Sequence, residues 1–268
     1  MKKLIKIVAI LVILAVSFVV SGFTNAEKTK VVVLMYHGIV NSESRKNTYV
    51  ITPNELEKDI QYLLQNGYEI MTTSDLLAGV KGKRRIKKTA VLTFDDGFYG
   101  NYKYGIPLFE KYNISAVFAV VGCYASNKKL TDKNSIFAYM DWEDIQKASK
   151  TVEIASHTYD MHELKGRRGV AQNKTESVSV YKKAIMQDFS KNDKLIAKYV
   201  KKPITFAYPY GIYNTYSEQV LQELGYKITL TCNEGINYIQ TEQDLRLLKR
   251  FNRDGKVSSA EFMKLHKI

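Results

Sequence analysis

Several things are scarce in this 268-residue chain: two cysteines, four prolines, one tryptophan, four histidines, and 27 acidic residues against 40 basic ones. Two thiols far apart, Cys123 and Cys232, cannot serve as a disulfide framework, so the fold must rest on a packed core. With 45% hydrophobic residues, that core has ample material, which excludes collagen-like and wholly disordered classes. Long apolar runs are also missing, with one exception. Lys2, Lys3 and Lys6 precede a run from Ile7 to Val20, interrupted by Ser17 and followed by Thr24-Asn25-Ala26-Glu27. This is the layout of a secretory signal cut after Ala26, or of an uncleaved N-terminal anchor, and it predicts an exported protein at the cell surface or outside the cell.

The net charge is +13, or +10 without residues 1–26. An exported chain that basic is drawn to anionic envelope or membrane surfaces. Its densest basic cluster, Lys81 to Lys88, reads as a solvated loop. Export and the lack of interleaved aromatics there argue against a nucleic-acid partner. Oligomeric state and the pairing of the two cysteines are not legible.

From Lys30 onward, short β-branched runs alternate with amphipathic stretches without a linker or repeat, predicting one α/β domain over residues 27–268. Strands are expected at Val31–Tyr36, Ala90–Phe94, Ser115–Val121, Val152–Ser156, Ile204–Tyr208 and Lys227–Thr231, with Leu245–Phe251 closing the sheet. Thr52-Pro53-Asn54-Glu55 has the form of a helix start with a capping box, and Gly67 stops that helix. Seven or eight βα units predict a distorted, TIM-like (β/α) barrel; an open doubly wound sheet is the alternative. The polar stretch Glu163–Val180 reads as a long surface loop at the mouth.

The polar residues fall at C-terminal strand ends: His37, Asp95-Asp96-Gly97, His157, and Tyr208-Pro209-Tyr210-Gly211. In a parallel barrel these ends converge on one mouth. Two imidazoles and a carboxylate form a three-ligand set of catalytic zinc type, and His157, His162 and one of the paired aspartates supply it. Adjacent aspartates at a strand end are costly unless a cation offsets their charge. The donor set suits zinc and also admits cobalt, nickel or iron.

Thr93-Phe94-Asp95-Asp96-Gly97, Ser156-His157-Thr158-Tyr159-Asp160-Met161-His162 and Phe206-Ala207-Tyr208-Pro209-Tyr210-Gly211 together resemble the core motifs of the polysaccharide deacetylases. The Met35-Tyr36-His37-Gly38 segment and the histidine spacing resemble most the branch acting on poly-N-acetylglucosamine. The resemblance implies Asp95 as general base, Asp96, His157 and His162 as metal ligands, and the Tyr210 N–H as oxyanion contact. His37 is then the candidate proton donor, because the usual late histidine is absent. The arginine that many members carry in the third motif is replaced by Ala207-Tyr208. Tyr208, Pro209, Tyr210, Tyr213 and Trp142 are candidate walls for the sugar. The implied activity is metal-dependent removal of N-acetyl groups from a poly-β-1,6-N-acetylglucosamine-like polymer. Peptidoglycan N-deacetylation, O-acetyl ester hydrolysis and non-catalytic wall binding stand as alternatives.

Overall fold

The computed structural model describes residues 28–268; the expected signal or anchor at 1–26 lies outside them. Among the described residues, no helix is long and apolar enough to cross a membrane.

Eleven strands are present: β1 (Thr29–Tyr36), β2 (Gly38–Ile39), β3 (Val50–Ile51), β4 (Glu69–Ile70), β5 (Thr89–Phe94), β6 (Val117–Val120), β7 (Glu153–Ser156), β8 (Thr205–Ala207), β9 (Ile228–Leu230), β10 (Asn237–Ile239) and β11 (Phe251–Asn252). The main sheet runs β10-β1-β5-β6-β7-β8-β9, with β4 on β5 and β11 on β1. Only the β1–β10 pairing is antiparallel. From β5 to β9 the spatial order follows the chain order, and the sheet curls into the expected (β/α) barrel type. The last apolar run does close the curl: Leu248 bridges Leu230 in parallel, and three residues later β11 lies parallel to β1.

Side-chain alternation divides the strands into two cores. Val32, Leu34, Tyr36, Leu92, Phe94 and Phe118 face outward into a large cluster under the helices. Val31, Val33, Val91, Val117, Ala119, Ala155, Leu230 and Leu248 form the inner cluster, where small side chains let the sheet curl tightly. The Pro53–Gln65 helix begins with the expected reciprocal Thr52–Glu55 capping box. From it Asp59 reaches the closing segment, pairing with Arg253 Nε at 2.8 Å and accepting from Tyr36 Oη at 3.0 Å. Both members of the ion pair are buried, so removing one would strand the other at a cost of about 3–5 kcal/mol.

Candidate active site

Following the inner face of the sheet upward leads directly to the site. Two residues beyond Met35 on β1 comes His37; two beyond Thr93 on β5, Asp95; two beyond Ala155 on β7, His157; two beyond Leu230 on β9, Cys232. Two beyond Leu248, on the closing segment, is Arg250. The period of two that fills the barrel with Val and Ala below thus delivers polar groups at its upper end. His37, Asp95, Asp96, His157, His162, Tyr210 and Cys232 all line one cavity of about 540 Å³. Neither cysteine is in a disulfide.

Asp96 breaks the alternation by turning into the left-handed region, φ +70°, followed by Gly97 at +81°. Thr158 and Tyr210 do the same at +72° and +56°. One strained non-glycine residue thus stands in each of the three conspicuous motifs. Such strain costs on the order of 1–3 kcal/mol each and persists only where surrounding structure enforces it. Gly211, at φ +65°, lies where a Cβ would meet Cys232, which lets the Tyr210 turn approach β9 closely.

Asp96 Oδ1 lies 3.1 Å from His162 Nε2 and 3.5 Å from His157 Nε2. His157 Nδ1 is 2.8 Å from the Ala207 carbonyl, an oxygen that can only accept, so the proton sits on Nδ1 and the Nε2 lone pair faces Asp96. His162 Nδ1 similarly faces Tyr124 Oη at 3.3 Å. Asp96 Oδ1 is buried and has no hydrogen-bond donor. Acceptors converging without a donor are what a divalent cation neutralises, and these three side chains offer one ligand atom each within 4.8 Å of one another. Burial pushes the Asp96 carboxyl up; a positive charge facing it, whether on protonated imidazoles or on a cation held in their place, is what keeps it far below the ordinary carboxylate range.

Asp95, only 2% exposed, is gripped by a group that reading the motifs does not find. Arg250 donates from Nη1 to Oδ1 and from Nη2 to Oδ2, both at 2.8 Å. Burial opposes ionisation of Asp95, yet Arg250 wins and the carboxyl lies below its ordinary range. This supplies from the closing segment the arginine missing from the third motif. One signal was available: Leu245–Phe251 carries three cations, Arg246, Lys249 and Arg250, and any of them that points inward from a buried strand must be paired.

His37 faces the same cavity, its ring edge-on to Tyr49 at 4.9 Å, and its buried Nδ1 has no partner among the described residues. Burial lowers its pKa, and the charges of Asp96 and Asp95 only partly offset this.

The candidate sugar walls lie differently. Of the residues proposed for that task, only Tyr210 lines the cavity. Tyr208 is fully buried and donates to Glu218 Oε1 at 2.7 Å. Pro209 is buried beneath the Tyr210 turn. Trp142 stacks on Tyr199 at 5.4 Å and 9° and donates to Ser126 Oγ, as a core residue does. Tyr213 packs on Tyr208 at 5.6 Å. The aromatic lining is Tyr49, Phe98, Tyr124, Tyr139 and Tyr210. Phe98 and Tyr139 stack at 4.7 Å, and Tyr124 lies 4.6 Å from Tyr139. All but Tyr210 lie outside the three motifs, and no periodicity marks them.

With this geometry in place, the chain was compared with known proteins. Residues 82–229, more than half of the chain, match the family described as polysaccharide deacetylase. The chain belongs to the polysaccharide deacetylase family. The matched span includes Asp95, Asp96, His157, His162 and Tyr210, while His37 and Arg250 fall outside it. A poly-β-1,6-N-acetyl-D-glucosamine N-deacetylase of Staphylococcus aureus (strain MRSA252) is 25% identical over 197 residues, covering 72% of this chain and 64% of that protein. The enzyme of that name from Escherichia coli (strain K12) is 24% identical over 236 residues, 76% of this chain. Only 34% of the E. coli protein is spanned. Among solved structures, a de-N-acetylase from Aggregatibacter actinomycetemcomitans superposes with a TM-score of 0.73 at 25% identity, covering 88% of this chain and 99% of the other. The polysaccharide deacetylase fold is thus shared along nearly the whole described chain.

Proposed function

We propose that the protein is an exported, metal-dependent N-deacetylase of a poly-β-1,6-N-acetylglucosamine-like polymer, releasing acetate. One observation carries the reading: a buried Asp-His-His convergence lies in the same cavity as an ionised aspartate clamped by an arginine. The names of the relatives favour the polymer, and the layout of residues 1–26 favours export to the cell surface or beyond. The +10 charge without those residues suits an anionic envelope.

A divalent cation held by Asp96, His157 and His162, zinc being the best match to the donors, would polarise the acetyl carbonyl and acidify a coordinated water. The remaining work falls to the chain. Asp95, kept ionised by Arg250, takes a proton as the water oxygen attacks the acetyl carbon. The Tyr210 N–H, on the strained turn at the mouth, offers a donor to the oxygen that gains charge. When the C–N bond breaks, protonated His37 gives its proton to the departing nitrogen. The products are acetate and a free amine on the sugar.

The test is acetate release from β-1,6 and β-1,4 N-acetylglucosamine oligomers and from acetylated xylan, with and without chelator. The expected result is release from the β-1,6 oligomer that stops on metal removal and falls about 10²- to 10⁴-fold in Asp95→Asn. Release that survives complete metal removal, or full activity in Asp95→Asn, rejects the mechanism. Preference for the β-1,4 oligomer or the xylan transfers the assignment to peptidoglycan or to ester substrates. Tight polymer binding without any release marks a binding protein.

A further inference from the structure

Glu163 directly follows His162 and lines the catalytic cavity, yet it forms no ion pair and no hydrogen bond with any described residue. Other exposed acids such as Glu143 and Glu234 also have no ion-pair partner among the described residues, but Glu163 differs from them in lining the catalytic cavity. Around it are aromatic rings. Tyr124, Tyr139 and Tyr210 share the cavity, and the Tyr210 ring lies 5.0 Å from that of His162. After burial, the charge of Glu163 is the next largest influence raising the Tyr124 and Tyr210 hydroxyls above the ordinary phenol range, as expected if the carboxylate faces them. The other charge on this rim, Arg168, is already occupied: its guanidinium lies 5.1 Å from the centroid of the Tyr210 ring. A carboxylate beside electron-rich faces is a receptor for an organic cation.

We infer that Glu163, with Tyr124 and Tyr139, forms a subsite for the ammonium group of an already deacetylated sugar unit adjoining the unit under attack. The inference rests on the deacetylase reading, because that reaction makes the ligand: each turnover turns a neutral acetamide into an amine that is protonated near neutral pH. The level of the groups in the cavity decides which unit is read. Asp95 and His157, where the acetyl group must sit, are each 2% exposed at the floor, whereas Glu163 is exposed at the rim. An ammonium at Glu163 therefore belongs to a neighbouring unit that remains outside while the acetamide is at the floor. Repulsion from Arg168 places it on the Tyr124–Tyr139 side. A polymer that has begun to lose acetyl groups then becomes the better substrate, and free amines accumulate in runs.

The experiment compares a fully acetylated β-1,6 pentamer with isomers carrying one free amine at each position. For wild type, kcat/KM for the isomer whose amine adjoins the scissile unit is expected to be about three- to tenfold above that for the fully acetylated pentamer, the range of an exposed charge pair backed by an aromatic face. The advantage shrinks with added salt. Glu163→Gln should abolish it and Glu163→Lys should invert it; both ratios are taken within one protein, so a general loss of activity does not enter. Equal kcat/KM for all isomers in wild type, or an undiminished preference in Glu163→Gln, overturns the inference. If no oligomer releases acetate, the deacetylase reading fails separately. The subsite is then judged by titrating a β-1,6 glucosamine tetramer: affinity about three- to tenfold weaker in Glu163→Gln supports it, and equal affinity refutes it.

Discussion

The floor and the rim of the cavity come from different parts of the fold. The floor is made at strand ends, where Asp95 and His157 are each 2% exposed and each is held by a specific partner: Arg250 for Asp95, the Ala207 carbonyl for His157. The rim is built on connecting segments, where Tyr210 is 43% exposed and Glu163 and Arg168 have no ion-pair partner among the described residues. Groups at the floor have their protonation fixed by burial and pairing, as chemistry on an amide requires. At the rim, Arg168 lies against the Tyr210 ring and Glu163 is left free to meet a ligand.

Three substitutions sharpen this contrast. The largest effect is expected from His37→Gln at the floor, a loss of about 10²-fold or more in kcat/KM if His37 is the proton donor. The active form is protonated, and burial lowers the pKa, so the alkaline decline in wild-type rate should centre below the ordinary histidine value and disappear in the variant. A pH profile with that limb intact in His37→Gln would assign the proton elsewhere. Next is Arg250→Met, with a loss of about tenfold or more near neutrality as buried Asp95 loses its counter-charge. Without Arg250 the Asp95 pKa rises; the base must be ionised, so the acidic limb of the profile should move to higher pH and part of the rate return on raising it. An unmoved acidic limb would show that the guanidinium does not govern Asp95. The smallest effect is expected at the rim: Tyr139→Ala should raise KM about two- to tenfold with kcat nearly unchanged, because its ring contributes contact and not proton transfer. A fall in kcat without a change in KM would erase the distinction between the two levels.

The same division explains what could be read from the chain before its structure. Strand ends carry a pattern, because alternation forces His37, Asp95 and His157 to continue an inward-facing row. Five of the six strands expected from apolar runs match β1, β5, β6, β8 and β9 to within a few residues, and β7 lies within the sixth. His157, His162 and one of the two paired aspartates are legible as a set from residue type, order and position, and the family resemblance picks Asp96 from the pair. Arg250 is harder: its partner is 155 positions away, and it shares its run with two other cations, Arg246 and Lys249. The rim is opaque for a different reason. Phe98 and Tyr139 reach the cavity from an isolated bridge and Tyr124 from the four-residue helix Gly122–Ala125, all too short for either period to show, whereas Trp142 and Tyr208, whose neighbours in sequence suggested a sugar wall, find better partners in Tyr199 and Glu218. The Glu163–Val180 stretch does reach the mouth, although Val178 already opens a helix capped by Ser177.

The segment that seals the barrel is also the one that carries Arg250. During synthesis Asp95, all three candidate ligands and Tyr210 leave the ribosome before it. Until those last residues dock against β1 and β9, Asp95 has no guanidinium to keep it charged. A chain clipped before this segment would thus hold all three motifs and still lack the charge that keeps its buried aspartate ionised.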